Sequence, residues 1–130
     1  QVRMPFREAT ALVAVERGDG KAQASRMLER ILGYRIFADD QGRMNRSLKD
    51  TGGGLLLVSQ FTLAADTASG MRAGFSGAAT PEDGEREFSR LVEMARAAYS
   101  PVETGRFRTH MQVHLINDGP VTFHLRVAPA

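Results

Sequence analysis

Apolar residues recur along this chain in two rhythms, and each change of rhythm marks a change of element. The run ATALVAV (9–15) is continuously apolar and predicts a buried strand, closed by the charged turn ERGDG (16–20). From about Lys21 to Leu32 the spacing becomes helical. Ala24, Met27, Leu28, Ile31 and Leu32 fall on one face, Arg26, Glu29 and Arg30 lie elsewhere on the surface, and Gly33 supplies a stop. YRIF (34–37) reads as a short strand and ADDQGR (38–43) as a polar turn. After a weakly patterned stretch through DTGGG (50–54), an apolar strand is expected over 55–61. A second helix is well signalled: Thr80 caps it, Pro81 takes its first position, and Glu82 and Asp83 suit the positive end of its dipole. Phe88, Leu91, Val92, Ala95 and Tyr99 form its inward stripe.

Beyond Pro101 the period shortens to two. In MQVHLI (111–116) Met111, Val113 and Leu115 alternate with Gln112, His114 and Ile116. In VTFHLRV (121–127) Val121, Phe123, Leu125 and Val127 alternate with Thr122, His124 and Arg126. These segments predict a pair of strands joined by NDGP (117–120), with His114 opposite Phe123 and His124 opposite Val113. Proline cannot donate to a sheet ladder, so local sequence alone makes Pro120 a trans residue that blunts an edge.

Composition narrows the class. The 130 residues, 42% hydrophobic and 25% charged, suit one globular domain spanning 1–130, without repeats or a dividing linker. Uninterrupted apolar stretches such as Leu55 to Val58 fall far short of the roughly 20 residues of a membrane helix, so no membrane partner is expected. No apolar leader pattern is visible, cysteine is absent, and a cytoplasmic setting is the expectation. The absence of cysteine excludes thiolate catalysis and thiolate metal sites. The net charge is only +2, yet arginine makes up all but two of the 17 basic residues, which fits either phosphate recognition or a compositional bias.

Familiar catalytic arrangements are missing. His110, His114 and His124 are the only histidines, and the expected register sets the last two on opposite faces, so no metal site is expected. GDGKAQ (18–23) lacks phosphate-loop spacing, TGGG (51–54) is a flexible approach to a strand, and Asp39, Asp40 and Asp66 read as turn residues. What stands out is SQFT (59–62), which puts Ser59, Gln60 and Thr62 at the end of an otherwise apolar strand.

Two longer stretches, SQFTLAADTASGMRAGFS (59–76) and TGRFRTHMQVHLINDGPVTF (104–123), together with RMLERILGYRIFADDQGRMN (26–45), carry a resemblance. They resemble the D-aminoacyl-tRNA deacylase (D-tyrosyl-tRNA deacylase) family, whose two signatures are a Ser-Gln-Phe-Thr segment and an Asn-x-Gly-Pro-Val-Thr segment. The likeness runs in consistent order over roughly residues 12 to 127. It implies a hydrolase that frees D-amino acids, and to some extent glycine, from the 3′-terminal adenosine of mischarged tRNA, without a cofactor.

The resemblance also implies a homodimer. Gly119 and Pro120 of one subunit, joined by a cis bond, would form a chiral gate over the partner's pocket, floored by Ser59, Gln60, Phe61 and Thr62. Asn117, Val121 and Thr122 would belong to the same substrate-binding segment, and Met111 and Phe123 would line the adenine side. A site that accepts many D side chains must read atoms common to all substrates, which rigid backbone can do. An aminoacyl ester is already activated, so a positioned water and stabilisation of the oxyanion suffice, with backbone amides near Gln60 and Phe61 as donors. Thr62 is the nucleophile by residue type; assistance from the 2′-hydroxyl of the terminal adenosine is the preferred route. A non-catalytic RNA-binding or assembly module on the same fold is the alternative.

The expected fold is α/β in three layers (α/β/β), two helices on sheets that close toward a barrel. Two departures accompany the likeness. Ala73 and Gly74 stand where family members usually carry proline and serine before the residue matching Phe75, which bears on the stiffness of that loop. QVRMPFRE (1–8) leaves little room for the family's two opening strands, so residues missing before Ala9 are expected, with a break in the Cα spacing to mark the gap.

Overall fold

A computed structural model describes residues 7–130, and the expected break before Ala9 lies mainly outside those residues. In chain order the elements are β1 (Ala9–Val13), α1 (Lys21–Gly33), β2 (Phe37–Ala38), β3 (Met44–Arg46), α2 (Leu48–Thr51), β4 (Leu55–Ser59), a 3-10 turn (Phe61–Ala64), α3 (Pro81–Ala98) and β5 (Val102–Thr104). Three strands form a parallel sheet in the order β1-β4-β5, with Ala9 opposite Leu55, Val13 opposite Ser59 and Leu55 opposite Val102. Parallel neighbours need long crossovers; α1 lies on the first of these and α3 on the second. β2 and β3 pair as a separate antiparallel hairpin.

The helices form where their local chemistry directs. Gly20 precedes α1, its amide donating to Gln23 Oε1 at 2.9 Å. Gly33 is the last helical residue, and the extended backbone of Tyr34 ends the helix as its amide donates to the Arg30 carbonyl at 2.8 Å. Thr80 caps α3 by accepting the Asp83 amide at 3.2 Å, with Pro81 in the first turn.

Leu28 and Leu32 of α1 and Phe88, Leu91 and Ala95 of α3 pack against Leu55 and Leu57, which point to one face of β4. Leu32, Leu48, Leu55 and Leu57 are fully buried, each contributing about 1.5–3 kcal/mol. One polar residue breaks α3's inward stripe: Glu87 is buried, and Arg86 and Arg90 approach its carboxylate at 3.4 and 3.5 Å. The fold is mixed α/β, as expected. Closure into a barrel is not formed among the described residues, where β1 and β5 are the outer strands.

The expected hairpin over 111–127 is a correction: residues 110–130 contain no strand. Alternation of apolar and polar positions makes an extended chain amphipathic, but a strand also needs a neighbour in hydrogen-bonding register. Side chains hold this region instead. Arg126 makes a two-pronged pair with Glu16 at 2.9 and 2.8 Å, and Gln23 Nε2 donates to the Ala128 carbonyl at 3.5 Å. The opposition of His114 to Phe123 and of His124 to Val113 goes with the hairpin; His114 Nε2 lies 3.3 Å from Gln112 Oε1. Three smaller corrections concern boundaries. The strand expected over 34–37 is instead the pair Phe37 and Ala38, β4 stops at Ser59, and α2 and β5 had no clear period to announce them.

Two expected results arise here. The Tyr99 hydroxyl donates to the Leu48 carbonyl at 3.0 Å and also meets the Gly53 carbonyl, tying the end of α3 to the approach to β4. Tyr99→Phe is expected to cost about 1 kcal/mol, the usual net worth of one such bond, measured by denaturant titration. An unchanged midpoint would show the bond to be idle.

Hydrogen bonding to Arg126 holds the Glu16 carboxyl below its ordinary value, against the opposing effect of burial. A carboxyl lowered on folding adds stability above its unfolded pKa and loses it as the pH falls through the folded one. Arg126→Ala is therefore expected to lower Tm at neutral pH, with the gap from the unsubstituted protein closing below the ordinary carboxylate range. A gap independent of pH would assign Arg126 a packing role.

Candidate active site

β4, the central strand, leads at its carboxyl end into the SQFT quartet, three polar residues and one phenylalanine. Ser59 pairs with Val13 across the sheet, and the Gln60 amide donates to the Val13 carbonyl at 2.7 Å. The backbone then tightens into the 3-10 turn Phe61–Ala64, closed by Leu63 to the Gln60 carbonyl at 3.2 Å and by Ala65 to the Thr62 carbonyl at 3.1 Å. The first amides of such a turn have no partner within it. Those of Phe61 and Thr62 donate to no protein acceptor among the described residues. This refines the expected donor set: the Gln60 amide is spent on the sheet, while the Phe61 amide is free and is joined by that of Thr62.

The side chains form a small polar shelf. Gln60 Nε2 donates to Thr62 Oγ1 at 2.5 Å, and no carboxylate or imidazole is hydrogen-bonded to Thr62 among the described residues. Phe61 is 65% exposed, its ring 5.2 Å from that of Phe75. The loop just before Phe75 is closed at its base by Asp66 and Gly74, whose amides and carbonyls exchange bonds at 2.7 and 3.0 Å. Asp66 Oδ1 also accepts the Ala68 amide, and Asp39 accepts the Gln41 and Arg43 amides, so both serve turns.

Met111 reaches the same end of the sheet. A Cβ on Gly105 would lie 2.7 Å from Met111 Sδ and 3.5 Å from a Val58 methyl, so the thioether sits against the bare glycine beside β4, one residue before Ser59.

The second group of expected residues sits apart from the first. Asn117 closes the loop at 117–122: its Oδ1 accepts the Val121 amide at 2.8 Å and its Nδ2 donates to Thr122 Oγ1 at 2.7 Å. Between these anchors the Gly119–Pro120 bond is cis and both residues are exposed. Gly119 has φ +143°, in a region reserved for glycine. No hydrogen bond joins 117–122 to 59–62 within the chain, among the described residues. The Phe123 ring lies 5.4 Å from that of Tyr34.

Residue type alone gave no warning of Phe75 beside Phe61 or of Tyr34 beside Phe123, although both phenylalanines fall inside the stretches quoted for the resemblance. Among the described residues no group of three or more histidine, cysteine, aspartate or glutamate side chains could hold a metal ion, and no helix is long and apolar enough to cross a membrane.

Comparison with known proteins identifies the family. The profile of the D-Tyr-tRNA(Tyr) deacylase family matches residues 7–126. The chain is 68% identical over 117 residues to a D-aminoacyl-tRNA deacylase of Stenotrophomonas maltophilia, covering 89% of this chain and 80% of that protein. It is 64% identical over 123 residues to the enzyme of that name from Methylococcus capsulatus, covering 95% and 80%. A solved structure described as a c-Myc DNA unwinding element binding protein superposes with a TM-score of 0.86 at 33% identity, over 92% of this chain and 81% of that one. A probable eukaryotic D-amino acid tRNA deacylase, at 14% identity and a TM-score of 0.63 over 79% and 75%, shares the fold. The profile spans nearly all the described residues and the identities hold over most of the chain, so the chain belongs to the D-aminoacyl-tRNA deacylase family.

Proposed function

We propose that this chain hydrolyses the ester linking a D-amino acid to the 3′-terminal adenosine of tRNA, releasing free amino acid and tRNA in the cytoplasm. The observation that carries the reading is the pair of unoccupied amides, Phe61 and Thr62, at the exposed end of β4 beside the Gln60 and Thr62 side chains. Water adds to the ester carbonyl, and the resulting oxyanion is held by these two amides. Collapse of the intermediate breaks the bond to the ribose 3′ oxygen, which leaves with a proton. Thr62 Oγ1 already accepts from Gln60 and has no base beside it, which favours a bound water over a threonine nucleophile. The neighbouring 2′-hydroxyl of the adenosine assists in activating that water. Ser59 and Gln60 shape the pocket floor, and Met111 borders its adenine side.

Selectivity comes from a second copy of the chain. In a homodimer, the loop that Asn117 and Thr122 close would bring Gly119, Pro120 and Val121 over the partner's pocket. Backbone carbonyls there accept the substrate ammonium, and the ring and main chain fill the space an L side chain would need. Glycine, with no side chain to reject, is hydrolysed too. The exposure of 117–120 and the absence of any bond from this loop to its own residues 59–62 support a loop that serves a neighbour.

Incubation with D-tyrosyl-tRNA and with L-tyrosyl-tRNA tests the reading. Release of tyrosine from the D form alone is the expected result. Tight binding with release from neither form would instead assign a nucleic-acid-binding module.

A further inference from the structure

Apart from the polar shelf, the surface carries a second constellation suited to RNA. Where α1 ends, the Arg30 guanidinium carbon lies 5.6 Å from the centre of the Tyr34 ring, within cation–π range, and the Phe123 ring tilts against Tyr34 at 57°. Gly33, Tyr34, Arg35, Met44 and Phe123 line a groove of about 390 Å³. Nothing lies within 4 Å of where a Gly33 Cβ would be, so that wall is open. Phe123 is 49% exposed and Met44 42% exposed. Neither Arg30 nor Arg35 pairs with a carboxylate within 4 Å among the described residues, whereas Arg26, Arg86, Arg90 and Arg126 all do.

We propose that this groove stacks one unpaired nucleotide of the tRNA 3′ end, its base against Phe123 and Tyr34 and its phosphate held by Arg30 and Arg35 together. Apolar flat rings beside unpaired guanidinium groups match the two parts of a single-stranded nucleotide, a π face and an anion. A purely apolar partner would leave both arginines without a purpose. The inference rests on the proposed function for its ligand, and position favours it. Phe123 follows Pro120 by three residues, at most about 11 Å along the chain. The subunit that lends its loop to a neighbour's pocket would thereby also hold the RNA strand that leads into that pocket. The role of Phe123 thus moves from the terminal adenosine to a nucleotide before it.

The test uses uncharged tRNA and the same tRNA trimmed of its single-stranded 3′ nucleotides, with affinity measured for the full chain and for Phe123→Ala, Phe123→Tyr and Arg30→Gln. Phe123→Ala is expected to weaken intact tRNA by about 5- to 150-fold, the range for one stacked base, while leaving trimmed tRNA unchanged. Phe123→Tyr should restore binding, and Arg30→Gln should weaken intact tRNA alone. Equal losses on both RNAs, or no loss on either, would overturn the proposal. If Phe123→Ala fails to fold, the Arg30→Gln comparison decides by the same criterion. Because the RNA is uncharged, failure of the ester hydrolysis assay would strike the proposed function and leave this result standing.

Discussion

Gly119→Ala is expected to lower the ratio of kcat/KM for D- over L-aminoacyl-tRNA by about 10- to 100-fold, with little change in Tm. The backbone at 119 has φ +143°, and an added Cβ would lie 2.7 Å from Val121 Cγ2 and 3.2 Å from the Val121 amide nitrogen. An alanine must therefore leave that conformation or displace Val121. Either movement disturbs the Val121 amide, which Asn117 holds at 2.8 Å, so the strain spreads to the whole turn. Holding the native turn would cost about 1–3 kcal/mol, so the exposed turn shifts instead and the gate moves with it. The loop is exposed and packs on little, so global stability has small exposure to the change. Single-turnover release of tyrosine from both stereoisomers, with a thermal melt of the same preparation, measures it. A folded variant with unchanged discrimination would remove the loop from the selectivity argument.

Phe61→Pro is the sharper test of catalysis. Proline at the first position of a helical turn is well tolerated, because the amide it lacks has no intrahelical partner anyway. Here that amide is one of the two assigned to the oxyanion. Loss of one such donor costs about 10²- to 10³-fold in kcat. Phe61→Ala keeps the amide and removes the ring, so it separates the backbone role from the contact with Phe75. The expected order is a large fall in kcat for Phe61→Pro and a much smaller one for Phe61→Ala. Equal rates in the two variants would end the assignment of the Phe61 amide.

What could be read from the chain and what could not divide along physical lines. Both long helices were legible from their period, and in α3 capping agrees with it, as Thr80, Pro81 and the Phe88 to Ala95 stripe show. β4 was legible as a buried apolar run; β1 was legible as a strand, but it lies at the sheet's edge half-buried, with Leu12 exposed. The segments at 111–127 misled because alternation reports two faces of an extended chain and says nothing of a neighbouring strand; Arg126 and Asn117 turn out to set their course. At the site, the position of the SQFT quartet was legible as polarity in an apolar context. Which amide was free was not, since the Gln60 amide is consumed by a carbonyl 47 positions earlier, that of Val13. The contact of Phe123 with Tyr34 likewise depends on tertiary placement that neither residue type encodes.

The register of the parallel sheet has a bearing on biosynthesis. Residue 9 finds its partner at residue 55, so the first strand emerges from the ribosome on the order of seconds before the strand that will shelter it. During that interval Ala11 and Val13 have only α1 and transient helpers to shield them, and the quartet that begins at the last residue of β4 is put in place by the same event that covers them.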